Sequence, residues 1–138
     1  MNSKINPYMH FNGNAKEAME FYKSVFGGEL TMSTFGQGMP GGDAEDVEKI
    51  MHAQLLVGDS MTLMGSDTPK HFAYTPGTSV TLSLSGTDEV ELKGCWDKLS
   101  EGATVSQPLV AAPWGDQFGM LTDQFGMEWM VNIAGKKA

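Results

Sequence analysis

The sequence predicts an α+β chain made of two βαβββ modules in tandem, and three observations predict it. Two helical stripes of apolar residues recur at a fixed offset, each follows a short strand that ends in glycine, and each precedes three segments that read as strands. At an offset of 73, Gly13 matches Gly86, and Met19, Tyr22 and Phe26 match Leu92, Cys95 and Leu99. With one residue inserted, Gly28 matches Gly102. The modules span about residues 4–65 and 78–134 of a single 138-residue domain.

In the first module residues 5–12 read as a strand closed by Gly13. A helix follows, with Ala15, Ala18, Met19, Tyr22, Val25 and Phe26 on one face. Asn14 is placed to cap it, with Glu17 completing a capping box, and Gly27-Gly28 supplies a left-handed stop. A strand at 29–35 leads into a glycine-rich acidic loop at 36–48. Strands at 49–57 and 60–64 then form a hairpin over Gly58-Asp59. Residues 65–77, with Pro69 and Pro76, form the linker between modules.

The second module repeats this order. A strand at 78–85 ends at Gly86, and a helix from Asp88 carries Leu92, Cys95, Trp96 and Leu99 on its apolar stripe. Asp88, Glu89 and Glu91 sit at the positive end of that helix, as its dipole favours, and Gly102 closes it. Strands at 104–110, 117–122 and 127–133 complete the module, the last two joined by a turn at 123–126. One helix covers only one face of each sheet. The two modules are therefore expected to pair and to enclose a concavity.

Composition bounds the function. No window approaches the roughly 18 uninterrupted apolar residues of a membrane helix, and MNSKINPYMHF lacks the apolar core of a signal peptide, so a cytosolic protein with no membrane partner is expected. Cys95 is the single cysteine, which agrees with a reducing compartment and excludes cysteine-based zinc clusters. Seventeen acidic residues face nine basic ones, all lysine, for a net charge of -8. That charge repels phosphate backbones, so nucleic acid is not an expected partner. Without arginine there is no planar fork for an anion, leaving point charges such as Lys70 and Lys93. A neutral or cationic small molecule is the expected ligand.

Three separated motifs carry a family resemblance: PYMHFNGNAKEAMEFYKSVFGGEL at 7–30, KIMHAQLLVGDS at 49–60, and PWGDQFGMLTDQFGMEWMVN at 113–132. Together they resemble the PhnB-like branch of the vicinal oxygen chelate superfamily, which includes glyoxalase I, extradiol dioxygenases and bleomycin-resistance proteins. The resemblance implies paired modules, a cup-shaped mixed sheet around a ligand cavity, and a homodimer. Some PhnB-like proteins carry a methyltransferase name, yet nothing in this sequence resembles a site for S-adenosylmethionine. Enzymes of the superfamily hold a divalent metal through four residues, His or Glu, from the first and last strand of each module. Registered on Phe21-Tyr22, those slots fall near Pro7, Leu63, Ser79 and Met130. A one-residue slip gives Tyr8, Thr62 or Met64, Val80, and Trp129 or Val131, on the opposite sheet face. Neither set supplies a metal quartet. No cofactor is therefore expected, and glyoxalase or dioxygenase activity falls with the metal.

Candidate ligand contacts follow from alternation. His52, Gln54 and Leu56 share one face of their strand; on the concave face the first two would orient a ligand, and otherwise His52 is a core or dimer-interface residue. His10 shares a face with Tyr8 and Asn12, opposite Pro7, Met9 and Phe11, and either set could face the cavity. Trp114 precedes the second hairpin as a cavity wall, with Phe118, Met120, Trp129 and Met130 as apolar lining. His71, Phe72 and Tyr74 are placed at the rim. The G-x-G-x-x-G at 36–41 is not a dinucleotide loop, because Asp43, Glu45, Asp46 and Glu48 follow it and oppose a pyrophosphate; a lid or dimer contact is expected instead. Cys95 lies on an apolar stripe and reads as a packing thiol.

The leading expectation is a homodimer that binds a small, partly apolar molecule through His52, Gln54, Trp114, Phe118, Met120 and Trp129. The alternative is a metal-dependent lyase, isomerase or dioxygenase of the glyoxalase type using His10, His52 and Glu128. A third is a protein-interaction module acting through the acidic loop.

Overall fold

A computed structural model describes residues 4–135. The chain divides into two compact units, the first ending at Pro76 and the second starting at Gly77. The first holds β1 (Tyr8–Phe11), α1 (Ala15–Phe26), β2 (Glu29–Thr34), a four-residue helix α2 (Phe35–Gly38), a 3-10 turn (Ala44–Asp46), β3 (Ile50–Val57) and β4 (Met61–Asp67). Its sheet runs β1-β4-β3-β2, with β1 parallel to β4 and the other neighbours antiparallel. The second holds β5 (Leu82–Gly86), α3 (Glu89–Leu99), β6 (Thr104–Ala111), β7 (Gln117–Thr122) and β8 (Glu128–Ile133). Its sheet runs β5-β8-β7-β6, with β5 parallel to β8. Two mixed four-stranded sheets, each with a helix, make the α+β duplication that the repeated stripes predict. No helix among the described residues is long and apolar enough to cross a membrane.

Alternation along each strand sends one set of side chains to the helix and leaves the other open. In the first unit Ala15, Ala18, Met19, Tyr22 and Val25 of α1 are buried, together with Met9, Phe11, Ala53, Leu55 and Leu63 of the sheet. Gly65 lets this layer close, since a Cβ there would lie 3.0 Å from the Phe11 ring. In the second unit Leu92, Cys95, Trp96 and Leu99 are buried with Leu121, Trp129, Val131 and Ile133. Trp96 lies so close over β7 that a Cβ at Gly119 would sit 2.7 Å from its ring.

Several local features differ from the sequence expectation. β1 and β5 are shorter at their N-terminal ends, and β4 runs three residues further, to Asp67. The side chain of Asn14 makes no capping bond. Asp67 does that work from 52 residues away: its Oδ1 accepts from the amides of Gly13 (3.0 Å) and Ala15 (2.9 Å), and its Oδ2 accepts from Ile50 (2.9 Å). One buried carboxylate thus joins the end of β4, the start of α1 and the start of β3. In α3 the local cap is as expected, with Asp88 accepting from the amide of Glu91.

The acidic loop is fastened rather than free. Asp46 Oδ1 accepts from Lys49 Nζ at 2.8 Å and from the amide of Lys70 at 3.0 Å, and Asp43 lies 3.7 Å from Lys70 Nζ and 3.4 Å from His71 Nε2. The Lys49 ammonium holds the Asp46 carboxyl below its ordinary pKa, and Asp46 in turn raises that of Lys49. The Glu45 amide is the main cause of the lowered Asp43 carboxyl.

Candidate functional site

The open face of the first sheet is defined by its register. Tyr8 pairs with Met64, Met64 with Gln54, and Gln54 with Thr31, so these four form a row across all four strands. A second row carries His10 beside Ser66 on one side and His52 beside Ser33 on the other. His10, Tyr8, His52 and Gln54 therefore share the face turned away from α1, while Met9, Phe11, Ala53 and Leu55 are buried beneath the helix.

Tyr8 links the two histidines. Its hydroxyl lies 3.2 Å from His52 Nδ1, and its ring centre is 5.4 Å from that of His10 and 5.8 Å from that of His52. Three π-faced side chains with hydrogen-bonding edges thus stand together, beside the amide of Gln54 and the thioether of Met64. None of the four strands contains a lysine; Glu29, whose partner Leu56 lies on the open face, is the carboxylate at its edge. The face offers hydrogen-bond donors, acceptors and ring surfaces to a ligand. Sequence reasoning passed over Tyr8 as a site residue, although its two-residue spacing from His10 is the signal that places both on one face.

The superfamily's metal quartet does not fit these residues. Leu63 is 3% exposed on the helix side, Pro7 precedes β1, and Ser79 precedes β5. The open-face pair in the first unit is Tyr8 with Met64, so the expected slots at Pro7 and Leu63 are out of register by one residue. In the second unit Met130 pairs with Ser83, and Thr81 donates to Glu128 at 3.5 Å. These positions supply one carboxylate and no histidine. Of the alternative set His10, His52 and Glu128, the structure brings the two histidines to one ring cluster, whereas Glu128 belongs to the second unit. Among the described residues no group of three or more His, Cys, Asp or Glu is arranged to hold a metal ion.

The second unit turns a different chemistry outward. Trp114 is 61% exposed, yet it is fixed: its Nε1 donates to Asn132 Oδ1 at 3.4 Å, and its ring meets Phe118 edge-on at 5.5 Å. Asn132 donates to Asp116 Oδ2 at 3.0 Å, and Asp116 Oδ1 accepts from the amide of Gly135 at 2.8 Å. Phe118 and Met120 pair with Asn132 and Met130 on the same open face. Trp129 does not join them. It is 3% exposed on the helix side with Leu121, and its Nε1 donates to Asp123 Oδ2 at 2.8 Å, so it is a core residue rather than cavity lining. Phe72 is exposed and Tyr74 half-buried in the segment after β4. Burial, and secondarily Glu91, raises the pKa of the Cys95 thiol, which keeps it protonated and agrees with a packing role.

Comparison with known proteins accords with this architecture. Residues 3–132 match the family described as 3-demethylubiquinone-9 3-methyltransferase. The crystal structure of protein PA1353 from Pseudomonas aeruginosa is similar at 38% identity and a TM-score of 0.87, over 98% of this chain and all of that one. The PhnB protein from Bacillus cereus is 27% identical with a TM-score of 0.72, over 96% of this chain and all of that one. A glyoxylase/bleomycin resistance protein/dioxygenase domain from Frankia sp. EAN1pec, at 13% identity and a TM-score of 0.66 over 97% of this chain and 98% of that one, shares the fold alone. The chain belongs to the family described as 3-demethylubiquinone-9 3-methyltransferase, the PhnB-like group of the glyoxalase/bleomycin resistance/dioxygenase fold.

Proposed function

We propose that this protein binds a small, partly apolar, neutral or cationic molecule on the open face of its first sheet, without the usual metal quartet. The observation that carries the reading is the Tyr8–His52 hydrogen bond within the Tyr8, His10 and His52 ring cluster. Neutral polar groups placed on an apolar and aromatic surface are the usual means by which a small molecule is oriented. Gln54 adds a donor and an acceptor, and Met64 adds an adaptable apolar contact. Trp114, Phe118 and Met120 on the second unit provide a further apolar surface of their own, held ready by Asn132 and Asp116. The protein acts as a cytosolic homodimer in this reading.

Native mass spectrometry of the untagged protein tests it. A dimer carrying a small organic adduct, lost on His52→Ala, is the expected result. Uptake of one zinc, nickel or manganese ion per subunit, abolished by the same substitution, would replace binding with a metal-dependent reading centred on His10 and His52.

A further inference from the structure

We infer that Tyr8 is a positioning residue that fixes the tautomer of His52, and that the site consequently selects a neutral ligand bearing a carbonyl oxygen. The inference rests on the proposed ligand site and specifies what enters it. Tyr8 Oη and His52 Nδ1 are 3.2 Å apart. A neutral phenol is a far stronger acid than the N–H of a neutral imidazole, so in such a pair the phenol donates and the ring nitrogen accepts. A neutral imidazole has one donor and one acceptor nitrogen; with Nδ1 accepting from Tyr8, the proton resides on Nε2. His52 thus keeps a donor for a further partner and has no free lone pair to offer it.

The surroundings narrow the class of that partner. A donor calls for an acceptor, and the acceptor can be neutral or anionic. The four strands of the first unit contain no lysine, the chain contains no arginine, and Glu29 stands at the edge of the face. An anion there would meet the carboxylate of Glu29 and a net charge of -8, with no lysine or arginine on the face to offset them. A carbonyl oxygen of an amide, lactam or ketone satisfies the donor at no such cost. Gln54, two residues along the same strand and about 7 Å away, can hydrogen-bond a flanking N–H or a second oxygen. Tyr8 and Met64, paired across β1 and β4, meet the apolar remainder.

Long-range proton–nitrogen NMR of the histidine rings at pH 8.5 reads the tautomer directly, and benzamide, benzoate and benzylamine serve as probes with one ring and three charges. The wild type is expected to hold His52 in the Nε2–H form, and Tyr8→Phe is expected to release it to a mixture of both forms. Benzamide is expected to shift the His52 and Gln54 side-chain signals and to bind about tenfold more tightly than either charged probe, an advantage that Tyr8→Phe removes. The same tautomer composition in wild type and variant, or an Nδ1–H form in the wild type, overturns the inference. The wild-type measurement stands even if Tyr8→Phe fails to fold. Tighter binding of benzylamine or benzoate at the same residues overturns the ligand class and leaves the site standing. Absence of any shift on the open face with all three probes overturns the class and the ligand site together.

Discussion

The two units share one topology and differ in what ties it together. In the first, a single carboxylate from the end of β4 reaches across to α1 and β3; in the second, Asp88 caps α3 locally, and Asp116 and Asp123 fasten the ends of the β7–β8 hairpin. Their open faces differ as well. One carries a tyrosine between two histidines, and the other an exposed tryptophan braced by a phenylalanine. Apolar periodicity on the helix side therefore suffices to set the architecture, and the opposite face of each sheet is left to carry separate chemistry.

The sharpest way to break this comparison is to remove the two caps. Asp67→Ala strands three backbone donors at once, those of Ala15 and Ile50 buried and that of Gly13 partly so, and is expected to cost about 3 kcal/mol in urea unfolding. Asp88→Ala loses one exposed local bond and is expected to cost about 1 kcal/mol. Equal losses would show that the long-range carboxylate is no more than an ordinary helix cap.

Close packing of helix on sheet gives the next contrast. At Gly119 a Cβ would meet the Trp96 ring at 2.7 Å and the Leu109 Cα at 2.9 Å, so Gly119→Ala is expected to cost about 2 kcal/mol in the same unfolding assay. At Gly65 the nearest atom is the Phe11 ring at 3.0 Å, followed by the Met9 carbonyl oxygen at 3.2 Å, and the expected loss is about half as large. If Gly65→Ala proves the more damaging, the tighter layer lies in the first unit.

Legibility in the sequence follows the range of the interaction that decides each feature. The two long helices α1 and α3, the hairpins and the face shared by His52 and Gln54 depend on neighbours a few residues apart, and their periodicity is plain, whereas the four-residue α2 falls within what reads as a loop. The Asp67 cap depends on a partner 52 residues away, and no local pattern announces it. The position of the metal slots fails for another reason: β1 is only four residues long, and a slip of one residue exchanges Pro7 for Tyr8 and reverses the face. Trp129 was readable. Its alternation with Val131 and Ile133 against Glu128 and Asn132 marks it as a core residue, but aromatic character alone suggests a cavity wall. The ring cluster needs both kinds of information, because Tyr8 and His52 are 44 residues apart and meet only through the order of β1, β4 and β3.

The smallest expected effect concerns the fastened acidic loop, which has no counterpart among the described residues of the second unit. Asp46 is held below the ordinary carboxyl value of 3.8 chiefly by the Lys49 hydrogen bond and also by the Lys70 amide. A carboxyl lowered on folding stabilises the folded state above its unfolded pKa, and that contribution disappears as pH falls through the folded value. The Lys70 amide signal is therefore expected to titrate with a midpoint below 3.8, and Asp46→Asn to abolish that titration while leaving the rings of Tyr8 and His52 undisturbed. Lys49, raised by the same pair, keeps its share from neutral pH upward until pH passes its elevated value, so the fastening should hold across the neutral range. Movement of the His52 signals in Asp46→Asn would show instead that the loop and the open face are coupled, and the division of labour within the first unit would have to be redrawn.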